Sequence, residues 1–251
     1  MKKCISQNNL KSVYLENNTA IKVFSKDYNK SDVLYEALNT ARVEDAGVNI
    51  PKLLSVSVNN GQWEITSEYA DGITLTQLIK EHPEKTADYI KKMVEYQVDF
   101  QKKSNPLLLK LKDKLIRQIN DIETLDSSVK YELLTRLNTM PKHTKLCQNH
   151  HGDFCPDNII VNIDDNADIT SITAVDWVHA TQGNASADIA NTYLLLKLQY
   201  SDSSIDIADM YMTQFCAATD TKKSYVTGFL LLPPQEWQKT NLMKKNFSNI
   251  G

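Results

Sequence analysis

The order of apolar and polar positions divides the chain into short strand-like runs up to residue 70 and mainly helical periodicities beyond it, with one hairpin set among the helices. Thr19-Ala20-Ile21-Lys22-Val23-Phe24 reads as a strand carrying one lysine among apolar residues. Val33, Leu34, Ala37, Leu38 and Ala41 then recur at three- and four-residue spacing, which predicts a helix over 31–41, capped by Ser31 or Asp32 and stopped at Gly47. Further strands are expected from Ile50 onward and over 63–69. Thr74 and Gln77 have the spacing of a capping box that opens the next helix. Between 83 and 141 three stripes follow: Ile90, Met93, Val94 and Gln97; Leu111, Leu115, Ile119 and Ile122; Val129, Leu133, Leu134 and Leu137. Each reads as the core-facing side of a helix. Beyond them, the β-branched runs 159–163 and 169–175 flank Asp164-Asp165-Asn166-Ala167-Asp168, the signal of two strands around a turn.

Composition narrows the class without choosing a function. The 251 residues suit two small lobes or one larger domain, and 41% apolar content is enough for a core. The longest apolar run of note, 226–232, is far below the roughly 18 residues that a membrane span needs, so a soluble protein with no membrane partner is expected. Two lysines near the N-terminus are followed by no apolar stretch, unlike a secretory signal. Cys4, Cys147, Cys155 and Cys216 show no paired spacing, which fits reduced thiols and a cytoplasmic location. A net charge of -3, with no basic patch interleaved with aromatics, argues against nucleic acid as a partner.

Chemistry concentrates at His151-Gly152-Asp153-Phe154-Cys155-Pro156-Asp157-Asn158, followed by Ala174-Val175-Asp176-Trp177. The spacing His-x-Asp-x-x-x-x-Asn supplies a carboxylate, Asp153, to orient or deprotonate an attacking hydroxyl, and Asn158 as a neutral oxygen ligand for magnesium. Asp176 offers the charged oxygen ligand that a small, strongly hydrated dication prefers. The intervening hairpin returns the chain to its start, so Asp176 is expected to meet Asn158 around a common ion. Each residue has a plainer reading: Asp153 and Asn158 as turn residues, Lys22 as a solvating strand charge, Glu36 as an exposed helix residue. His150 and His151 are adjacent and point apart with no third ligand spaced for zinc, so His151 reads as structural.

The segment HGDFCPDNIIVN with AVDWVHA resembles the catalytic core of the aminoglycoside phosphotransferase and choline kinase family, over about residues 11–195. Cys155 and Asp157 stand where that family often has histidine and glycine. The resemblance implies an α+β, bilobal protein-kinase-like fold: a small antiparallel-sheet lobe over 1–70 that grips the nucleotide, and a larger, mainly helical lobe over 71–251 that holds catalysis and substrate. It further implies that Lys22 holds the nucleotide phosphates with Glu36 as its ion-pair partner. Backbone groups around Glu68 and Ala70, in the linker that ends at Gly72, would hydrogen-bond the base. Asp188, in Ala187-Asp188-Ile189-Ala190, would brace the catalytic loop from beneath. The first glycine is Gly47, so the turn near Ser6-Gln7-Asn8-Asn9 cannot be a glycine-rich phosphate cover, and Ser6 is the candidate contact there.

The implied activity is magnesium-dependent transfer of the γ-phosphate of ATP or GTP to a hydroxyl. Only eleven residues separate Asp176 from Asp188, too few for a protein kinase's activation segment, which points to a small-molecule acceptor. An aminoglycoside would want acids, for which Asp121, Glu123, Asp126, Asp202, Asp206 and Asp209 are available. Choline or ethanolamine would want an aromatic cage, for which Trp177, Tyr193, Tyr200, Tyr211 and Trp237 are candidates. A nucleotide-binding pseudokinase and an unrelated α+β protein with a chance motif are the other readings.

Overall fold

Asparagine turns build the first sheet. Asn17 and Asn18 both take left-handed backbone, φ 48° and 61°, and join β2 (Lys11–Glu16) to β3 (Thr19–Phe24) as a tight hairpin. Asn60 and Gly61 do the same between β4 (Leu53–Asn59) and β5 (Gln62–Glu68). With β1 (Lys3–Gln7) these form a five-stranded antiparallel sheet in the order β1-β2-β3-β5-β4. The computed structural model describes residues 2–139 and 148–229.

Helix α1 (Lys30–Asp45) crosses this sheet between β3 and β4. It is longer than its apolar spacing predicts, and its N-cap is Asn29 rather than Ser31 or Asp32. Its buried face also differs from the expected one. Val33, Ala37 and Val43 are covered, whereas Leu34 and Leu38 are 42% and 46% exposed, because the face toward the sheet also carries Glu36 and Asn39. Phe24, Val33, Ala37 and Ile65 make the small core of this lobe. Val43, Val48 and Ile50 instead join the large core, so the helix end is shared between the two parts.

After Glu68 the chain passes through 69–72 into β6 (Ile73–Thr74), which pairs with β8 (Ile159–Ile163), itself paired with β9 (Ile169–Ala174) as the hairpin predicted. Gly72 sits at φ +130°, and a Cβ there would lie 2.3 Å from the Val161 carbonyl oxygen. Only glycine lets the linker press this closely on β8.

Thr74 caps α2 (Leu75–Glu81), accepting from the Gln77 amide at 3.1 Å, but the box is half-formed: the Gln77 side chain turns to Glu81. Helix α3 (Thr86–Lys102) buries Ile90, Met93, Val94, Gln97 and Phe100 at the centre of the large core. Each large apolar side chain so buried contributes about 1.5–3 kcal/mol. Helices α4 (Leu111–Asp121) and α5 (Ser127–Thr139) pair through Leu115, Ile119, Leu133 and Leu137 in a core of their own. Strand β7 (Gln148–His150) pairs with β10 (Thr181–Gly183), and α6 (Ala185–Gln199), α7 (Ile207–Thr219) and α8 (Lys223–Phe229) complete the helical part. An antiparallel sheet with one helix thus precedes a larger, mainly helical part, as the α+β expectation held. Among the described residues no helix is long and apolar enough to cross a membrane.

Gly72→Ala is expected to lower the thermal midpoint by several degrees more than Gly61→Ala, which meets no neighbour and carries only left-handed strain of about 1–2 kcal/mol. Differential scanning fluorimetry of both variants checks this; equal losses would show that the linker can move off β8.

Candidate active site

Strand β3 and helix α1 bring the two early candidates together. Lys22 Nζ lies 2.5 Å from Glu36 Oε1 and 3.2 Å from Asp176 Oδ1. One ammonium therefore ties the sheet to α1 and to the residue that follows the β8–β9 hairpin. Burial works against the charge on Lys22, but Asp176 and Glu36 outweigh it and hold the ammonium above its ordinary range. Burial likewise opposes ionisation of Asp176, but the fields of Lys22 and Lys11 win and lower it to about 2. Asp176 also takes left-handed backbone, φ 65° and ψ 60°. Such strain in a non-glycine residue costs of order 1–3 kcal/mol and is typical of functional positions.

The sequence reading missed Lys11. It stands at the start of β2, opposite Phe24, and its Nζ lies 2.9 Å from Glu36 Oε2. Glu36 is 4% exposed and holds a lysine on each oxygen. Only the strand register puts Lys11 there, and no spacing rule within one element could have found it.

The catalytic-loop candidates form a second group. Asn158 donates through Nδ2 to both the backbone oxygen and Oδ2 of Asp153, at 2.9 and 2.8 Å. This engages the amide nitrogen, so that any cation would meet the amide oxygen. The Val175 amide donates to the Asn158 carbonyl at 2.9 Å, so the start of β8 and the end of β9 meet beside Asp176. An ionised carboxylate and an amide oxygen suit magnesium, which keeps several waters and takes phosphate oxygens to complete its shell. Among the described residues no group of three or more His, Cys, Asp or Glu gathers for a metal.

Beneath the loop lies a buried polar network. His151, fully buried, shares a hydrogen bond with the Val175 carbonyl through Nε2 at 3.0 Å and packs on the Trp177 ring at 4.4 Å. Burial lowers its pKa, against the pull of Asp188, favouring the neutral ring. Gly152, at φ +81°, donates its amide to Asp188 Oδ1 at 2.9 Å. Asp188 Oδ2 accepts from Gln97 and Gln101 at 3.1 and 3.3 Å, and Asn191 donates to the Gly152 carbonyl at 2.8 Å. Tyr211 donates to Gln97 Oε1 at 2.5 Å. Burial and the neighbouring Asp153 push the Cys155 thiol up to about 12, so it stays protonated near neutrality.

Other expectations shift. Ser6 lies inside β1 opposite Val13, so the turn is Asn8-Asn9-Leu10 rather than one beginning at Ser6. Glu68 ends β5, its amide and carboxylate engaged with the Lys52 backbone, and Ala70 follows in the linker. Asp157 turns toward α6, where Gln199 donates to it at 3.0 Å. Trp177 and Tyr211 are 2% and 0% exposed and belong to the core, so they cannot form a cage with Tyr193 and Tyr200. Asp126 caps α5, and Asp206 and Asp209 pair with Lys197, so these acids are already engaged. Asp121, Glu123 and Asp202 are exposed. Cys147, Trp237 and part of the run 226–232 lie outside the described residues.

A family model described as "Phosphotransferase enzyme family" matches residues 11–223. A direct search of curated proteins returned no match. Among solved structures, a thermostable mutant of aminoglycoside phosphotransferase APH(4)-Ia in ternary complex with AMP-PNP and hygromycin B superposes with TM-score 0.67 at 16% identity, covering 99% of this chain and 88% of that one. Aminoglycoside-3'-phosphotransferase of type VIII gives 0.63 at 14% identity, covering 92% of each chain. A choline/ethanolamine kinase family protein from Mesorhizobium loti gives 0.60 at 14% identity, covering 99% and 82%. The bilobal, kinase-like architecture expected from the sequence is thereby established.

The depressed Asp176 pKa sets a pH test for the metal-free protein. Its stabilising contribution is present above the unfolded value near 3.8 and is lost as pH falls through the folded value of about 2. Asp176→Asn should therefore melt below the parent protein from neutrality down to about pH 4, with the gap closing below that. A gap independent of pH would place the effect outside the ion pair.

Proposed function

The chain belongs to the phosphotransferase enzyme family, and we propose that it is a small-molecule kinase that transfers the γ-phosphate of ATP to an acceptor hydroxyl in the manner of aminoglycoside phosphotransferases. The observation that carries this reading is the chain of contacts from Glu36 through Lys22 to Asp176, standing beside the Asp153–Asn158 loop. A strand lysine fixed by a helix glutamate, a base candidate and two oxygen donors are the parts that phosphoryl transfer needs.

Each residue has a role in this scheme. Lys22 offers its ammonium to the nucleotide phosphates, with Glu36 holding it in place. The backbone around Glu68 and Ala70 binds the base at the linker between lobes. Asp153 accepts the hydrogen bond of the acceptor hydroxyl and points its oxygen in line with the γ-phosphorus; the proton passes to Asp153 as the new O–P bond forms and ADP leaves. Asn158 and Asp176 would hold magnesium, which when bound neutralises charge on the β- and γ-phosphates. His151 and Asp188 keep the loop rigid, so the acceptor meets a prepositioned carboxylate. The contribution of the protein is positioning and electrostatics.

The short segment between Asp176 and Asp188 supports a small acceptor over a protein. Phosphate transfer from labelled ATP to a panel of aminoglycosides, choline, ethanolamine and simple sugars tests the reading. Asp153→Ala is expected to lower kcat by about 10²–10⁴-fold with little change in nucleotide affinity. Asp176→Ala is expected to lose magnesium-dependent stabilisation by ATP in a thermal shift assay. Near-normal turnover by Asp153→Ala would sink the assignment, and nucleotide binding without transfer to any acceptor would favour a pseudokinase.

A further inference from the structure

The turn that closes β1 onto β2 is poorly equipped to hold a phosphate. It has no glycine, and three of its amides are engaged internally: Asn8 Oδ1 accepts from the Leu10 and Lys11 amides at 2.9 and 2.8 Å, while the Asn8 amide donates to the Lys11 carbonyl at 2.9 Å. A phosphate-cradling loop works by presenting free N–H groups, and these are not free. With so few amides left, positive charge for that end of a triphosphate is best supplied by a side chain.

Lys11 is placed to supply it. From the root of the turn its side chain crosses the face of the sheet toward α1, with Nζ 5.4 Å from the Phe24 ring centre and 5.5 Å from that of Tyr28. The side chain is 18% exposed, against 19% for Lys22. Both ammonium groups converge on Glu36, one on each carboxylate oxygen. Lys11, Lys22, Glu36 and Asp176 are balanced as they stand, two cations against two anions. With a divalent cation held by Asp176, that carboxylate would be neutralised and the two lysines would outweigh Glu36. A cleft arranged this way gains positive charge on the side where the phosphates must lie.

We propose that Lys11 is a second cation contacting the triphosphate, anchored with Lys22 by the shared Glu36 and replacing the phosphate contacts that the glycine-free turn cannot make. The inference rests on ATP being the phosphate donor. Lys11 differs from a merely structural lysine in acting on the phosphates alone, so its effect must grow with their number.

The test is binding of ATP, ADP and adenosine, and the KM for ATP, in the 251-residue protein carrying Lys11→Met or Lys11→Arg. Methionine keeps the apolar stem over Phe24 and Tyr28 and removes only the charge. A charge-assisted contact carries roughly 1.5–3 kcal/mol, so Lys11→Met should weaken ATP binding and raise its KM by about 10–100-fold. ADP should be affected less and adenosine unchanged, while Lys11→Arg restores most of the ATP affinity. ATP affinity unchanged in Lys11→Met, or an equal loss for adenosine and ATP, would overturn the proposal. Failure of the parent protein to bind ATP would instead overturn the reading on which it rests.

Discussion

A single buried carboxylate organises the cleft. Glu36 holds Lys11 from β2 and Lys22 from β3, and Lys22 extends the chain of charge to Asp176 beyond the second hairpin. Four charged groups from four segments are thereby fixed within a few ångströms. Their worth is in geometry more than in stability. Desolvating such groups costs nearly as much as their attraction returns, whereas deleting one partner strands the others and costs about 3–5 kcal/mol. The cluster therefore resists piecemeal change and fixes how the sheet faces the catalytic loop.

Neutral contacts secure the same relation. Asn39, fully buried on α1, donates to the Val178 carbonyl just past Asp176, and Asn105 donates to the Arg42 carbonyl one turn further along that helix. Tyr96 donates to the Asn49 carbonyl and accepts from the Ala174 amide, so one hydroxyl joins the connection after α1 to the end of β9. On the far side of the loop, Asp188 takes hydrogen bonds from Gly152, Gln97 and Gln101, leaving a buried carboxylate well satisfied. The loop bearing Asp153 and Asn158 is held from below by hydrogen bonds and is tied to the end of β9 by the Val175 amide. That rigidity is what a positioning mechanism requires.

Several side chains take places that their local sequence does not suggest, for one shared reason. Leu34 and Leu38 fit a helical stripe, yet the helix turns its polar Glu36 and Asn39 inward, because Glu36 meets the lysines of β2 and β3 and Asn39 meets the Val178 carbonyl. Trp177 and Tyr211 have the chemistry of a cation cage, yet the core takes both. Asp126, Asp206 and Asp209 could have faced a polycation, but caps and lysines claim them first. In each case the residue type was read correctly for what it can do, and its partner lay on another element.

What could be read along the chain was whatever depends on neighbours a few residues apart. The hairpin from Ile159 to Ala174 and the helical stripes through Leu137 follow from periodicity and turn chemistry, and they lie where expected, while covalent spacing alone brings Asp153 and Asn158 into one short loop. The pairing of Lys22 with Glu36, seen at 2.5 Å, was implied only by the family resemblance and not by spacing along the chain. The part of Lys11 was not legible, since its place beside Glu36 depends on a one-residue choice of strand register, with Lys11 opposite Phe24 and Val13 opposite Lys22. A slip by one would send its side chain to the other face of the sheet. The partners of Asp188 on α3 and the close approach of Gly72 to β8 depend likewise on packing between segments some 90 residues apart. Local sequence carries the chemistry available to this site, but only the closing of the chain selects which charges meet.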